Sequence, residues 1–177
     1  MIGATEDLER AVALDPKVAL AWSHLAVARA GRGDWTGMVA ASTREIELRQ
    51  DQASGWSHRS MARSRTGDLD GAVEDATRAI ELDPKSVSAW LNRSTAWILK
   101  KRWNAAIADA DRAIELAPEM GEPYANRGGA RADKGDIEGA VQDLEEFLRR
   151  CPKHPKVPTV VAALEKLRAQ LKRPPGD

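Results

Sequence analysis

Apolar and small residues fall at helical spacing along most of this chain. Ala72, Val73, Ala76, Ala79, Ile80 and Leu82 lie on one side of a helix over residues 68–82. Gly67-Asp68 supplies a turn glycine followed by a helix-capping aspartate. Asp83-Pro84 ends the helix, because a proline disfavours helical backbone in the residue before it. A first helix is predicted over residues 54–66, ahead of that glycine. The same pattern recurs with a step of 34: Trp22, Trp56, Trp90 and Tyr124 share one column. Ala28, Ala62, Ala96 and Ala130 share another, and Pro16, Pro84, Pro118 and Pro152 a third, with Gln50 at its vacant node. Gly33, Gly67 and Gly135 repeat with Lys101 as the exception, and Ala72, Ala106 and Ala140 with Met38. Agreement among independent columns on one period marks a helical solenoid. No stretch alternates for long enough to predict a strand, so the expected fold is all-α.

These residues resemble a known family. An aromatic, small residues behind it, Gly-Asp, an alanine-rich second helix and a closing Asp-Pro are similar to tetratricopeptide repeats, most clearly from Trp56 to Pro84. The resemblance implies a right-handed α-solenoid of helix-turn-helix units. Full repeats are expected at 19–52, 53–86, 87–120 and 121–154, as one array through residue 172. There are departures. The position late in the first helix, usually aromatic, holds Arg29, Arg63 and Arg131, and only Trp97 keeps the aromatic.

Residues 3–16 match a second helix alone, with Leu8, Ala11, Val12, Leu14 and Pro16 in register. A repeat cannot bury its apolar face by itself. The segment therefore reads either as an N-terminal cap or as part of a longer protein. Val157-Pro158 opens a closing helix over residues 157–172. Val160, Leu164, Leu167 and Leu171 lie on one face, and Glu165, Lys166, Arg168, Gln170 and Lys172 on the other. Residues 173–177 are expected to be disordered.

Composition narrows the function. Lysine plus arginine number 27 and aspartate plus glutamate 27, so no net charge favours binding to nucleic-acid phosphates. The single cysteine excludes an internal disulfide. No apolar run is long enough for a membrane span, and no basic-then-apolar leader is present, so a cytoplasmic location is expected. Cys151 and His154 are two ligands where a zinc site needs three or four, and no Gly-rich phosphate loop occurs. Carboxylates such as Asp75 and Asp109 read as solvated partners of Arg78 and Arg112. Neither enzyme activity, metal nor cofactor is expected.

The family resemblance implies that first helices line a concave groove. Two residues after each aromatic the chain reads His24, His58, Asn92 and Asn126. Relatives of this kind hold a peptide backbone with asparagines at that place. Leu91 and Thr95, with Met61 beside them, add an apolar patch, extended by Ile98 and Leu99. The columns at which relatives clamp a chaperone's C-terminal carboxylate hold no lysine or arginine, so that ligand is not expected. The leading reading is a non-catalytic scaffold for a peptide or protein partner. The alternative is a structural or oligomerisation module. Two local expectations follow from comparing repeats. Lys101 should adopt left-handed backbone. Arg59, Arg93 and Arg127 should reach Asp75, Asp109 and Asp143, because the first repeat replaces both columns with Leu25 and Ala41.

Overall fold

The computed structural model describes residues 2–172, and among them ten α-helices and no strand. They are α1 (Ile2–Leu14), α2 (Ala19–Gly31), α3 (Trp35–Leu48), α4 (Ala53–Thr66), α5 (Leu69–Leu82), α6 (Val87–Leu99), α7 (Trp103–Leu116), α8 (Glu122–Lys134), α9 (Ile137–Arg150) and α10 (Val157–Leu171). Each full repeat holds one helix pair, and the fold is an all-α helical-repeat solenoid. The described residues divide into two compact units between Ala96 and Trp97, within α6. The segment 173–177, expected to be disordered, lies outside the described residues.

The turn chemistry sets where each second helix starts. Gly33, Gly67 and Gly135 sit at φ of 73°, 90° and 94°, which glycine adopts without steric cost. The next residue is an aspartate whose Oδ1 accepts a hydrogen bond from the backbone N–H three positions on. These are Asp34 from Gly37 at 2.8 Å, Asp68 from Gly71 at 3.0 Å and Asp136 from Gly139 at 3.0 Å. The turn before α7 keeps the shape without the chemistry: Lys101 takes φ 56°, as expected, and Arg102 offers no side-chain cap.

The aromatic column is tied to the backbone behind it. The indole N–H of Trp22 donates to Pro16 O at 2.9 Å, that of Trp56 to Gln50 O at 3.1 Å and that of Trp90 to Pro84 O at 3.0 Å. The Tyr124 hydroxyl donates to Pro118 O at 3.1 Å. Each bond pins the start of a first helix to the end of the preceding second helix. The acceptor is a carbonyl, so Gln50 serves as well as proline.

In the first unit, Val12, Leu25, Ala26, Met38, Ala41 and Ala62 form one core cluster and Ala79, Ile80 and Ala89 another, the second flanked by Trp56 and Trp90. Alanines dominate because helix backbones approach closely. In the second unit Tyr124, Ala140, Leu144 and Phe147 pack with Val160, Leu164 and Leu167 of α10. Those three residues of α10 close the core, whereas Leu171, the last of the expected stripe, is 46% exposed.

Candidate functional site

A buried ionic layer fixes the first helices that carry the candidate residues. Arg59 donates to both oxygens of Asp75 at 2.8 Å, and Arg63 adds an ion pair at 2.9 Å. In the second unit, Arg127 donates to Asp143 at 2.9 and 2.6 Å, and Arg131 adds 2.9 Å. Both aspartates are 2% exposed. Asp75 is therefore not a solvated partner of Arg78, which instead pairs with Glu81. Its place on the helix face turned toward α4 decides this, since burial with an unpaired charge would be prohibitive. Asp109 is likewise buried, not solvated, and Arg112 pairs with Glu115. Each arginine also reaches the preceding repeat's second helix: Arg59 to Thr43 at 3.3 Å, Arg93 to Thr77 at 3.2 Å and Arg127 to Asp111 at 2.6 Å. Their guanidinium groups lie over Trp56, Trp90 and Tyr124 at 5.0, 5.0 and 5.6 Å. Hydrogen bonds to Asp143 and Asp111 outweigh burial and raise the Arg127 pKa further above its ordinary range. Arg29, Arg63 and Arg131, which stand where an aromatic is usual, donate to the carbonyls of Gly37, Gly71 and Gly139 at 3.0, 3.2 and 3.5 Å. Sequence reading saw only the departure, because a backbone acceptor leaves no partner column.

Against this frame the first unit arranges most of the candidate groove. His58 Nδ1 lies 3.2 Å from Glu45, whose carboxylate also accepts from Ser54 Oγ at 2.6 Å. Burial pushes the Glu45 carboxyl up, but hydrogen bonds from His58, Ser54 and Ser23 and the electrostatic attraction of His58 outweigh it, holding it below its ordinary value. Glu45 stands in register with Ala79, so the sequence offered no repeated signal for it. Asn92 Nδ2 donates to Ser57 O at 2.9 Å and to Ser57 Oγ at 3.1 Å. The amide is thereby oriented, and no hydrogen bond among the described residues reaches its Oδ1. Met61, Asn92 and Thr95 come together, with Ser64 and Arg65, around a cleft of about 170 Å³. The Ser64 hydroxyl is buried there without a hydrogen-bond partner among the described residues. Leu91 is half-buried on α6 outside this cleft. His24 is exposed on α2, between Leu20 at 57% and Val27 at 54% exposure.

In the second unit Asn126 lines a larger groove, about 500 Å³, between α8 and α10. Ala125, Gly129 and Asp133 form one wall, and Val160, Ala163 and Lys166 the other. A Cβ on Gly129 would meet open space, so this glycine leaves room on the α8 side. Its neighbour Gly128 instead packs closely on Asp143 and Leu144 of α9. Leu99, part of the expected apolar patch, is 49% exposed.

His154 packs edge-on to Phe147 at 5.3 Å and accepts at Nδ1 from Lys156 N at 3.1 Å. Among the described residues no group of three or more His, Cys, Asp or Glu is placed to hold a metal, and no helix is long and apolar enough to cross a membrane.

Comparison with known proteins agrees with this architecture. Two family models described as tetratricopeptide repeat match residues 59–121 and 93–168. No curated protein sequence matches the chain. The crystal structure of the APC/C hetero-tetramer Cut9-Hcn1 superposes with a TM-score of 0.86 at 18% identity, covering 97% of this chain and 34% of that one. TTC0263, a thermophilic TPR protein of Thermus thermophilus, superposes with a TM-score of 0.76 at 18% identity, covering 94% and 89%. The first TPR of Spaghetti (RPAP3), bound to the HSP90 peptide SRMEEVD, gives 0.65 at 24% identity, covering 69% and 94%.

Proposed function

Since the chain is a tetratricopeptide-repeat protein, we propose that it is a non-catalytic protein–protein interaction scaffold. It binds a peptide or partner segment along its first helices, at His24, His58, Met61, Leu91, Asn92 and Thr95 and, in the second unit, at Asn126. The observation that carries this reading is the cleft at Met61, Asn92 and Thr95. It presents an oriented amide whose Oδ1 accepts no hydrogen bond from the described residues, beside a Ser64 hydroxyl with no hydrogen-bond partner among them. A buried polar group left unpaired costs stability unless a ligand satisfies it. Met61 supplies apolar contact at the same place. The Spaghetti (RPAP3) structure holds an acid-terminated peptide. Here the corresponding columns, Ser23, Ser57, Leu91 and Ala125 with Val27, Met61, Thr95 and Gly129, carry no cation. The ligand is therefore an uncharged or mixed segment, read by backbone hydrogen bonds.

The test is selection of binders from a displayed random peptide library, followed by calorimetric titration of a selected peptide. Ser64→Ala removes the unpaired hydroxyl, so it should leave thermal stability unchanged or higher while weakening binding several-fold. Met61→Lys should abolish binding. Peptides that bind both variants as tightly as the parent chain would remove the cleft from the binding surface.

A further inference from the structure

Helix α1 is a second helix by register. Its Asp7, Ala11 and Leu14 stand two repeat periods before Asp75, Ala79 and Leu82. In full repeats this stripe is largely covered: Asp75 and Asp143 are 2% exposed, Ala79, Ala113 and Phe147 are 0% exposed, and Leu82 is half-buried. In α1, Asp7 and Ala11 are exposed and Leu14 is 88% exposed. The other side of α1 is satisfied. Val12 is buried in the core with Leu25, Leu8 packs against that cluster, and Glu9 accepts from Arg29 of α2 at 3.2 Å. Asp7 makes no ion pair or side-chain hydrogen bond among the described residues, whereas Asp75 and Asp143 each receive two arginines set four positions apart on one helix.

We propose that the bare stripe of α1 docks a helix from outside these 177 residues that carries two arginines four positions apart, the first of them three positions after an aromatic. This is the chemistry of α4, with Trp56, Arg59 and Arg63, and of α8, with Tyr124, Arg127 and Arg131. The arginine pair closes on Asp7 through bidentate hydrogen bonds, which set helix angle as well as energy. The helix body covers Ala11 and Leu14. Charge decides against a second copy docking end to end. The helix in first-helix register at the other end is α10, and at the two arginine positions it holds Val161 and Glu165. It would set a carboxylate against Asp7.

The test uses the full chain with two probes. The first is a fluorescein-labelled peptide with the sequence of residues 53–68, titrated by anisotropy. Saturable binding is expected; Asp7→Arg should weaken it about tenfold or more, and exchange of the peptide's arginines at positions 59 and 63 for glutamate, with the third at 65 kept, should restore binding to Asp7→Arg. A short isolated helix is marginal in water, so the same segment is also joined directly ahead of residue 1, in the register that α4 has to α5. Amide exchange of α1 in the joined chain should slow about tenfold or more. Asp7→Asn, or leucine at the joined segment's equivalents of Arg59 and Arg63, should remove most of that slowing. Peptide binding or slowed exchange that survives the Asp7 changes overturns the proposal, as does unchanged exchange in the joined chain. Concentration-dependent self-association of the unmodified chain that Asp7→Arg abolishes assigns the stripe to a second copy and overturns it equally.

Discussion

The first repeat and the second hold the same helix pair together by opposite means. Between α2 and α3, Leu25 and Ala41 are both fully buried and carry no charge. Between α4 and α5 the same positions hold Arg59 and Asp75, joined bidentately at 2.8 Å. The aromatic, the turn glycine and the capping aspartate are shared. One geometry thus accepts an apolar node or an ionic one. The ionic node adds angular definition through its paired hydrogen bonds and ties a third helix through Thr43; the apolar node avoids desolvating two charges. With alanine at position 41, Arg29 of the first repeat pairs with Asp34 of its own turn at 3.7 Å and with Glu9 of α1 at 3.2 Å.

The largest expected effect comes from breaking the ionic node from one side. Arg59→Leu leaves Asp75 buried with only Arg63, and should destabilise by about 3 kcal/mol in urea unfolding. Adding Asp75→Ala recreates the first-repeat pairing and should recover most of that loss. A double variant no more stable than the single one would show that the two nodes are not interchangeable. Next, Trp22→Phe and Trp56→Phe should each cost about 1 kcal/mol, because each deletes one indole N–H bond to a carbonyl. Equal losses would confirm that the aromatic tie is common to both repeats while the ionic node is not.

Turns give a smaller contrast of opposite sign. Gly67 and Lys101 share the left-handed conformation, and only glycine holds it without strain. Lys101→Gly should stabilise by about 0.5–1 kcal/mol in thermal or urea unfolding. Smallest is a pH effect. Glu45 on α3 replaces the alanine of α5, and its carboxyl is held below its ordinary value of 4.5. Its ionised form therefore stabilises the fold above that value, and the contribution is lost as pH falls through the lower folded value. The stability difference between the parent chain and Glu45→Gln should narrow between about pH 5 and pH 3 in acid titration followed by circular dichroism. A difference constant across that window would mean that the His58 and Ser54 contacts do not favour the carboxylate.

Much of the scaffold was legible because repetition turns contacts into columns. The joint change of Leu25 with Ala41 and of Arg59 with Asp75 pointed to a contact, and the pairs in the second and fourth repeats meet at hydrogen-bonding distance. Contacts to backbone stayed invisible, since a carbonyl has no residue identity. The indole bonds to Pro16, Gln50 and Pro84 and the reach of Arg63 to Gly71 are of this kind. Interactions that occur once were hidden as well. Glu45 with His58 and Ser54 breaks the repeat pattern.

The double reach of Arg59 and Arg127 has a thermodynamic consequence. Each lies on a first helix and bonds at once to the second helix of its own repeat and to that of the repeat before. In a linear chain of repeats, stability is a sum of intrinsic and nearest-neighbour coupling energies. A guanidinium shared in this way enters both sums, so fraying of one repeat weakens the intrinsic stability of the next. Such a chain melts over longer stretches than the packing of its alanines alone would dictate, and the repeat lacking the shared arginine, held by Leu25, is where a melting front should slow or stop.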